Sequence, residues 1–396
     1  MAGLALFAAA KVCPAASIFS ASGLGEIQEP IDVRCKAMGR TSLAFTQARN
    51  PSKSNPAVWC TFDQTAIAVS FISEQRAVKD HGQSHTLFGA TPGAVRAFVP
   101  VGYDAVFGAG LWPYTSAEFS VSERFLLEHT TIPDSSYVQR VERRGGIHLA
   151  CFGVAKRLTP SFWVGFNLDL PFGSIEEVWE RTFEIPNWVG TRDAITRTYS
   201  GVIPTIGTVL LVGDNVALGA SYTPEVRLDS AGEVSNSVVR EAAGGNRTTL
   251  PTRASIGGSY RLGGSLVVAA EVKTELWERA YHSDADREMY SDVVAGGIGL
   301  AYLPGAGRKA SYYRRVSLFL GGYAGSSYYK SGQPPEVVGE RFLTFGLMLP
   351  FAEEQATLTC SFELGKRGEL SRNEAEEIVY RQSIGICGWE KWFERE

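Results

Sequence analysis

The side chains able to do chemistry in this 396-residue chain are scattered rather than gathered. His282, Asp284 and Asp286 stand two apart in "HSDAD". Alternating acids of this kind in a loop can ligate Ca²⁺, but a solvated external loop gives the same spacing, and no metal is assigned. Arg140, Arg143 and Arg144 flank Glu142 in "RVERRGG". An inward arginine there can hold a ligand carboxylate, pair with Glu142 or face anionic lipid. Glu271, Lys273 and Glu275 alternate with apolar residues in "LVVAAEVKTELWER". The histidines, His81, His85, His129, His148 and His282, show no spacing with serine and acid that would build a hydrolytic site. There is no Walker A loop, HExxH or nucleophile elbow. "GGIGLA" (Gly296 to Ala301) has no helix after it, so close strand packing explains its glycines better than a dinucleotide. "NRT" at Asn246 fits a glycosylation acceptor only in a eukaryotic secretory pathway. The residues imply no cofactor and no enzyme.

Cysteine use is equally plain. There is no CxxC and no Cys/His cluster at zinc spacing. Cys35 and Cys60 share the N-terminal region and could pair in an oxidising compartment. Cys151, Cys360 and Cys387 sit in strand-like runs and read as small apolar packers.

The elements that must position these groups are strands. Along "LVVAAEVKTELWER" one alternate set is apolar, while the other turns charged halfway. The same period of two recurs in "TAIAVSFIS", "FWVGFNLDL", "RFLTFGLMLPF" and "TLTCSFELG". Gly (42 residues) and aromatics (11%) are abundant, which suits strands and tight turns over helices. The net charge of −4 with scattered basic residues excludes a nucleic-acid surface. No apolar run reaches the about 18 residues of a membrane helix.

The connections alternate in length. Short turns at "VGYD", "LTPS", "VGDN", "LGGS", "PGAGR" and "FAEE" separate longer polar stretches such as "KDHGQSHTLFGATP" and "TFEIPNWVGT". Seven long loops and six short turns join fourteen strands, the layout of an outer-membrane barrel. In lipid a sheet must close on itself, because no water satisfies a free edge. Its apolar face then turns outward and its mixed face, here Glu271, Lys273 and Glu275, turns inward. A soluble sandwich or propeller has strands of about five or six residues, whereas these runs reach ten or more. Trp112, Trp179, Trp277 and Trp389 near strand ends suit the headgroup zone. The expectation is an all-β, closed antiparallel transmembrane β-barrel of about 14 strands in the outer membrane of a Gram-negative-type bacterium. "AGLALFAAA" followed by small residues reads as a signal peptide, with a cut after Ser17 or Ser22. The division expected is 1–22 signal peptide, 23–64 N-terminal hatch or plug and 65–396 barrel.

The segment before the first strand carries "SGLGE", then "KAMGRTSLAF", then "NPAVWCTFDQ". In this order, ahead of fourteen strands, it resembles the FadL family of outer-membrane transporters for long-chain fatty acids and other hydrophobic compounds. "TPGAVRAFVPVGYDAVFGAGLW" resembles that family's second and third strands. The resemblance implies a monomeric barrel plugged by a hatch, passive uptake of a small hydrophobic ligand through an apolar lumen, and sideways exit at a kink in the third strand. It places Asn55, Pro56 and Ala57 at the junction of hatch and barrel and makes Gly108, Gly110 and Pro113 candidates for the kink. Outer-membrane lipid is the expected surrounding partner. The alternatives are an interaction or shuttle component of a secretion or cell-surface assembly system, and a lipid-modifying outer-membrane enzyme.

Overall fold

A computed structural model describes residues 17–390 except 22, 81–82, 127–135, 185–187, 237–239, 282–287 and 306–309. His282, Asp284, Asp286 and His129 therefore lie outside the described residues, as does the side chain of Asn246.

Fourteen antiparallel strands follow one another around a closed barrel. They are β1 (Thr65–Asp80), β2 (Gln83–Gly102), β3 (Ala105–Pro113 and Phe119–Leu126), β4 (Ser136–Arg157) and β5 (Phe162–Phe183). Next come β6 (Thr191–Ser200 and Ile203–Val212), β7 (Val216–Thr223 and Val226–Ser235) and β8 (Arg240–Leu250 and Arg253–Leu262). The circuit ends with β9 (Leu266–Glu275), β10 (Val293–Tyr302), β11 (Ser317–Ser331), β12 (Glu336–Phe351), β13 (Ala356–Arg367) and β14 (Ala375–Glu390). Closure comes from β14 pairing with β1, from Thr65↔Glu390 to Asp80↔Ala375.

The wall is apolar outside and polar inside. On β5, Phe166, Leu168, Leu170 and Phe172 are exposed outward, while Asn167 and Asp169 between them are fully buried. On β12 and β13, Leu343, Phe345 and Leu364 face out, while Thr344, Ser361 and Glu363 face in. An exposed apolar band on a closed sheet is stable only in hydrocarbon, and it sets the chain in the outer membrane of a Gram-negative-type cell.

Several stretches that read as loops are strand. "SHTLFGATP" belongs to β2, and much of the polar run between Ser230 and Thr249 belongs to β7 and β8. β4 and β5, at 22 residues each, extend about 70 Å, far beyond the 9–11 residues or so that cross a bilayer. Polar composition hides these extensions, since it breaks the alternation.

Four strands are interrupted near the point where they leave the membrane, three of them at a proline: Pro113 in β3, Pro224 in β7 and Pro251 in β8, while β6 breaks at Gly201–Val202. A proline cannot donate to the ladder, so a strand breaks or bends there. Above the breaks, the upper halves of β3 to β8 form one six-stranded sheet.

Candidate functional site

The N-terminal segment is built into the barrel interior. "NPAVWC" forms a 3-10 turn, Pro56–Thr61, capped by Asn55. The Asn55 carboxamide oxygen accepts from Ala57 N at 3.0 Å, and its Nδ2 donates to Leu43 O at 2.8 Å and Thr208 O at 2.9 Å. One buried side chain thus starts the turn, ties two parts of the N-terminal segment together and grips β6. Pro56 suits the first position because no partner is needed for the N–H it lacks. Trp59 is buried and donates its indole N–H to Ser52 O at 2.7 Å. Replacing Asn55 by alanine removes all three bonds and is expected to destabilise the hatch by roughly 2–4 kcal/mol. Faster proteolytic cutting near residue 55 in folded protein would show it; an unchanged rate would refute it.

Glycines let this segment approach the wall. A Cβ on Gly297 would sit 1.8 Å from Gly39 O, and one on Gly207 would sit 2.0 Å from Asn55 Oδ1. The abundant glycine therefore serves hatch packing as well as turns.

The Glu26–Ile27 bridge strand lies at the centre of a buried ion-pair network. Glu26 contacts Arg76 of β1, Arg367 of β13 at 2.9 Å and Arg381 of β14 at 3.3 Å. Those arginines also hold wall acids: Arg76 reaches Glu377 at 3.1 Å, Arg367 reaches Glu340 at 2.9 Å and Arg381 reaches Glu74 at 2.6 Å. Arg40 of the hatch contacts Glu29, Glu340 and Glu363 and lies 3.7 Å over the Tyr323 ring. Burial pushes the Glu26 carboxyl up, but Arg367, Arg76 and Arg381 outweigh it and hold it well below the usual range. Burial likewise opposes ionisation of Glu29, yet Lys273 and then Arg40 bring it down to about 2.

The inward polar residues of β9 all engage the interior. Glu271 accepts from Ser42 N at 2.7 Å and Leu43 N at 3.0 Å, Lys273 pairs with Glu29, and Glu275 accepts from Trp277 Nε1 at 2.9 Å. Of the three arginines in "RVERRGG", Arg143 points in, donating to Ser20 O at 3.0 Å and Gly23 O at 2.7 Å. Arg140 and Arg144 are exposed and pair with Glu142. Cys35 and Cys60 are separate buried thiols, not a disulfide. Burial pushes both up to about 12, so neither is a ready nucleophile.

The third strand is not continuous. Its lower half follows β2 up to Val95↔Leu111 and stops at Pro113. The chain then turns inward, and Thr115–Ser116 pairs with Glu26–Ile27 of the hatch before the strand resumes at Phe119. Tyr114 N donates to Ile147 O and Ala117 N to Gly145 O, both at 2.9 Å. Gly146 is required below this detour, since a Cβ there would lie 2.1 Å from Thr115 O. Gly108 and Gly110 stand within the regular β2–β3 ladder, so of the three kink candidates only Pro113 is at the break.

A cavity of about 410 Å³ opens at this break. Its outer lip carries Leu111, Pro113, His148 and Phe172, with Ala90 and Pro92 of β2 across from them. Its inner end reaches Gln28, Glu26, Glu74 and Arg76. Its lining thus joins outward-facing wall residues such as Leu111 and Phe172 to charged groups of the interior. Sequence reasoning missed the ionic end, because Glu26 and Arg76 lie 50 residues apart.

A family model described as BamG matches residues 2–396. The chain belongs to the BamG family. None of the curated proteins matches it. Among solved structures, this BamG-family chain is similar to the Ralstonia pickettii toluene transporter TbuX at 14% identity, over 92% of this chain and 98% of that one, with a TM-score of 0.61. It is similar to the P. putida toluene transporter TodX at 14% identity, over 93% and 99%, with a TM-score of 0.59. It is also similar to a Pseudomonas aeruginosa FadL homologue at 10% identity, over 91% and 98%, with a TM-score of 0.60. The fold of this BamG-family member is thus the FadL-like barrel that its N-terminal motifs resemble.

Proposed function

We propose that the protein is a channel for passive movement of small hydrophobic molecules across the outer membrane, with sideways passage at the break in β3. The cavity at the Pro113 break carries this reading. Two of the similar structures are toluene transporters, and a monoaromatic ring suits a cavity of this size. Burying about 150 Å² of such a solute contributes about 4 kcal/mol, enough for brief residence and release. The N-terminal segment brings ion pairs into the interior beside apolar packing around Trp59, Phe62 and Phe98. The proposed solute path runs along the apolar outer part of the side cavity, at Leu111, Pro113 and Phe172, with the ion pairs at its inner end.

The test is uptake of radiolabelled toluene by cells, with Thr91→Trp placing an indole in the cavity. A fall of about tenfold is expected, the cost of losing roughly 1.4 kcal/mol of binding. Equal uptake by the filled variant would overturn the proposal.

A second reading, an interaction component of a cell-surface assembly system, draws on the same filled interior. A barrel with no open lumen can serve as a scaffold without passing any solute. Wild-type protein that gives no uptake above an empty membrane would favour it.

A further inference from the structure

The upper half of β3, Phe119–Leu126, has a ladder on one side only. It pairs with Ser136–Arg143 of β4. Across the break, the upper half of β2 pairs with β1 through Asp80↔Gln83 and with β3 only from Val95 downward. Among the described residues, two strand edges therefore face one another with no ladder between them. The far edge of the same six-stranded sheet is treated differently, since the Trp277–Ala280 helix packs beside Arg240–Leu250.

Exposed strand edges are normally guarded, because their unpaired N–H and C=O groups template another strand. Phe119–Leu126 contains no proline, no lysine and no bulge. Six of its eight residues are exposed, with Val121 46% and Leu126 74% accessible. The segment pairs with the part of β4 that lies beyond the membrane-crossing half, so lipid does not cover it.

We infer that the Phe119–Leu126 edge receives an extended segment of a partner polypeptide as an added strand at the cell surface. The occupant is identified by what the edge offers. Backbone donors and acceptors at strand spacing match another strand, not a lipid or a small solute. Val121, Glu123 and Phe125 lie on the face of the sheet shared with Arg143, which reaches inside to Ser20. There Phe125 continues an aromatic row, with Tyr137 at 5.3 Å and Tyr137 in turn 5.7 Å from Phe183. Ser120, Ser122, Arg124 and Leu126 occupy the opposite face. The incoming strand thus meets apolar Val121 and Phe125 with the acid Glu123 between them on the inner face, and a mostly polar outer face. This inference stands whether or not the side cavity passes a solute.

The experiment is photocrosslinking in intact cells with p-benzoylphenylalanine at Val121 and, separately, at Glu123. The expected adducts join one partner polypeptide at sites two residues apart, the signature of a strand in register. Scattered attachment sites, adducts to lipid alone, adducts to a second copy of this chain, or no adduct would each overturn the inference. Adjacent residues of a strand turn their N–H groups to opposite sides, so Val121→Pro and Ser122→Pro separate binding from folding. One removes a bond to β4 and lowers the melting temperature. The other removes only a free-edge donor and is expected to cut the adduct about tenfold at wild-type melting temperature. If the variant that melts normally keeps its adduct, the inference fails.

Discussion

Replacing Glu26 by glutamine is expected to unlock the hatch and raise the ionic conductance of the barrel in planar bilayers. Among the described residues, Glu26 is the one acid shared by Arg76, Arg367 and Arg381, which come from three different strands. Removing one partner of a buried ion pair leaves its counterpart unneutralised, a loss of roughly 3–5 kcal/mol. Here three guanidiniums lose the same carboxylate, although Glu377, Glu340 and Glu74 remain to hold them. The damage should therefore fall on the hatch more than on the wall. Ile27 pairs with Thr115 and Glu26 with Ser116, so the inward detour of β3 loses its anchor as well. Wild-type conductance and unchanged protease resistance of residues 23–64 would show that the network is ornamental. Glu26→Asp, which keeps the charge, should recover part of the closed state.

A second large effect is expected from Gly297→Val, read against Gly296→Val. The two positions are adjacent on β10 and differ only in the side they face. A Cβ at Gly297 would lie 1.8 Å from Gly39 O, whereas at Gly296 the nearest atom is Glu271 O at 3.5 Å. Gly39 itself has φ +62 and donates to Thr344 Oγ1 at 2.9 Å, so the hatch turn has little room to retreat. Overpacking of this kind costs about 1–3 kcal/mol, and displacing the Gly39 turn also pulls Arg40 off Glu29, Glu340 and Glu363. Faster proteolysis of the hatch in Gly297→Val, with Gly296→Val like wild type, is the expected result. Equal behaviour of the two would mean that the wall, not the hatch, sets the cost.

Local order in the chain is what made the barrel readable. Period-two alternation needs only neighbours, so the outward apolar rows of β5, β12 and β13 and the inward Glu271, Lys273 and Glu275 could be assigned from spacing alone. Asn55, Pro56 and Ala57 stood out only through the family resemblance; that they form a capped turn is visible only in the structure. The extended upper strands were not legible, because their polar composition breaks the alternation. Nor was the break in β3 placeable among Gly108, Gly110 and Pro113, since what stops the ladder is the bridge from Thr115–Ser116 to residues about 90 positions earlier. The charged interior belongs to the same class. Glu26, Arg76, Arg367 and Arg381 have nothing in common along the chain. Only closure of β14 onto β1 brings the last two beside Arg76, and only then does burial out of water make their pairing obligatory.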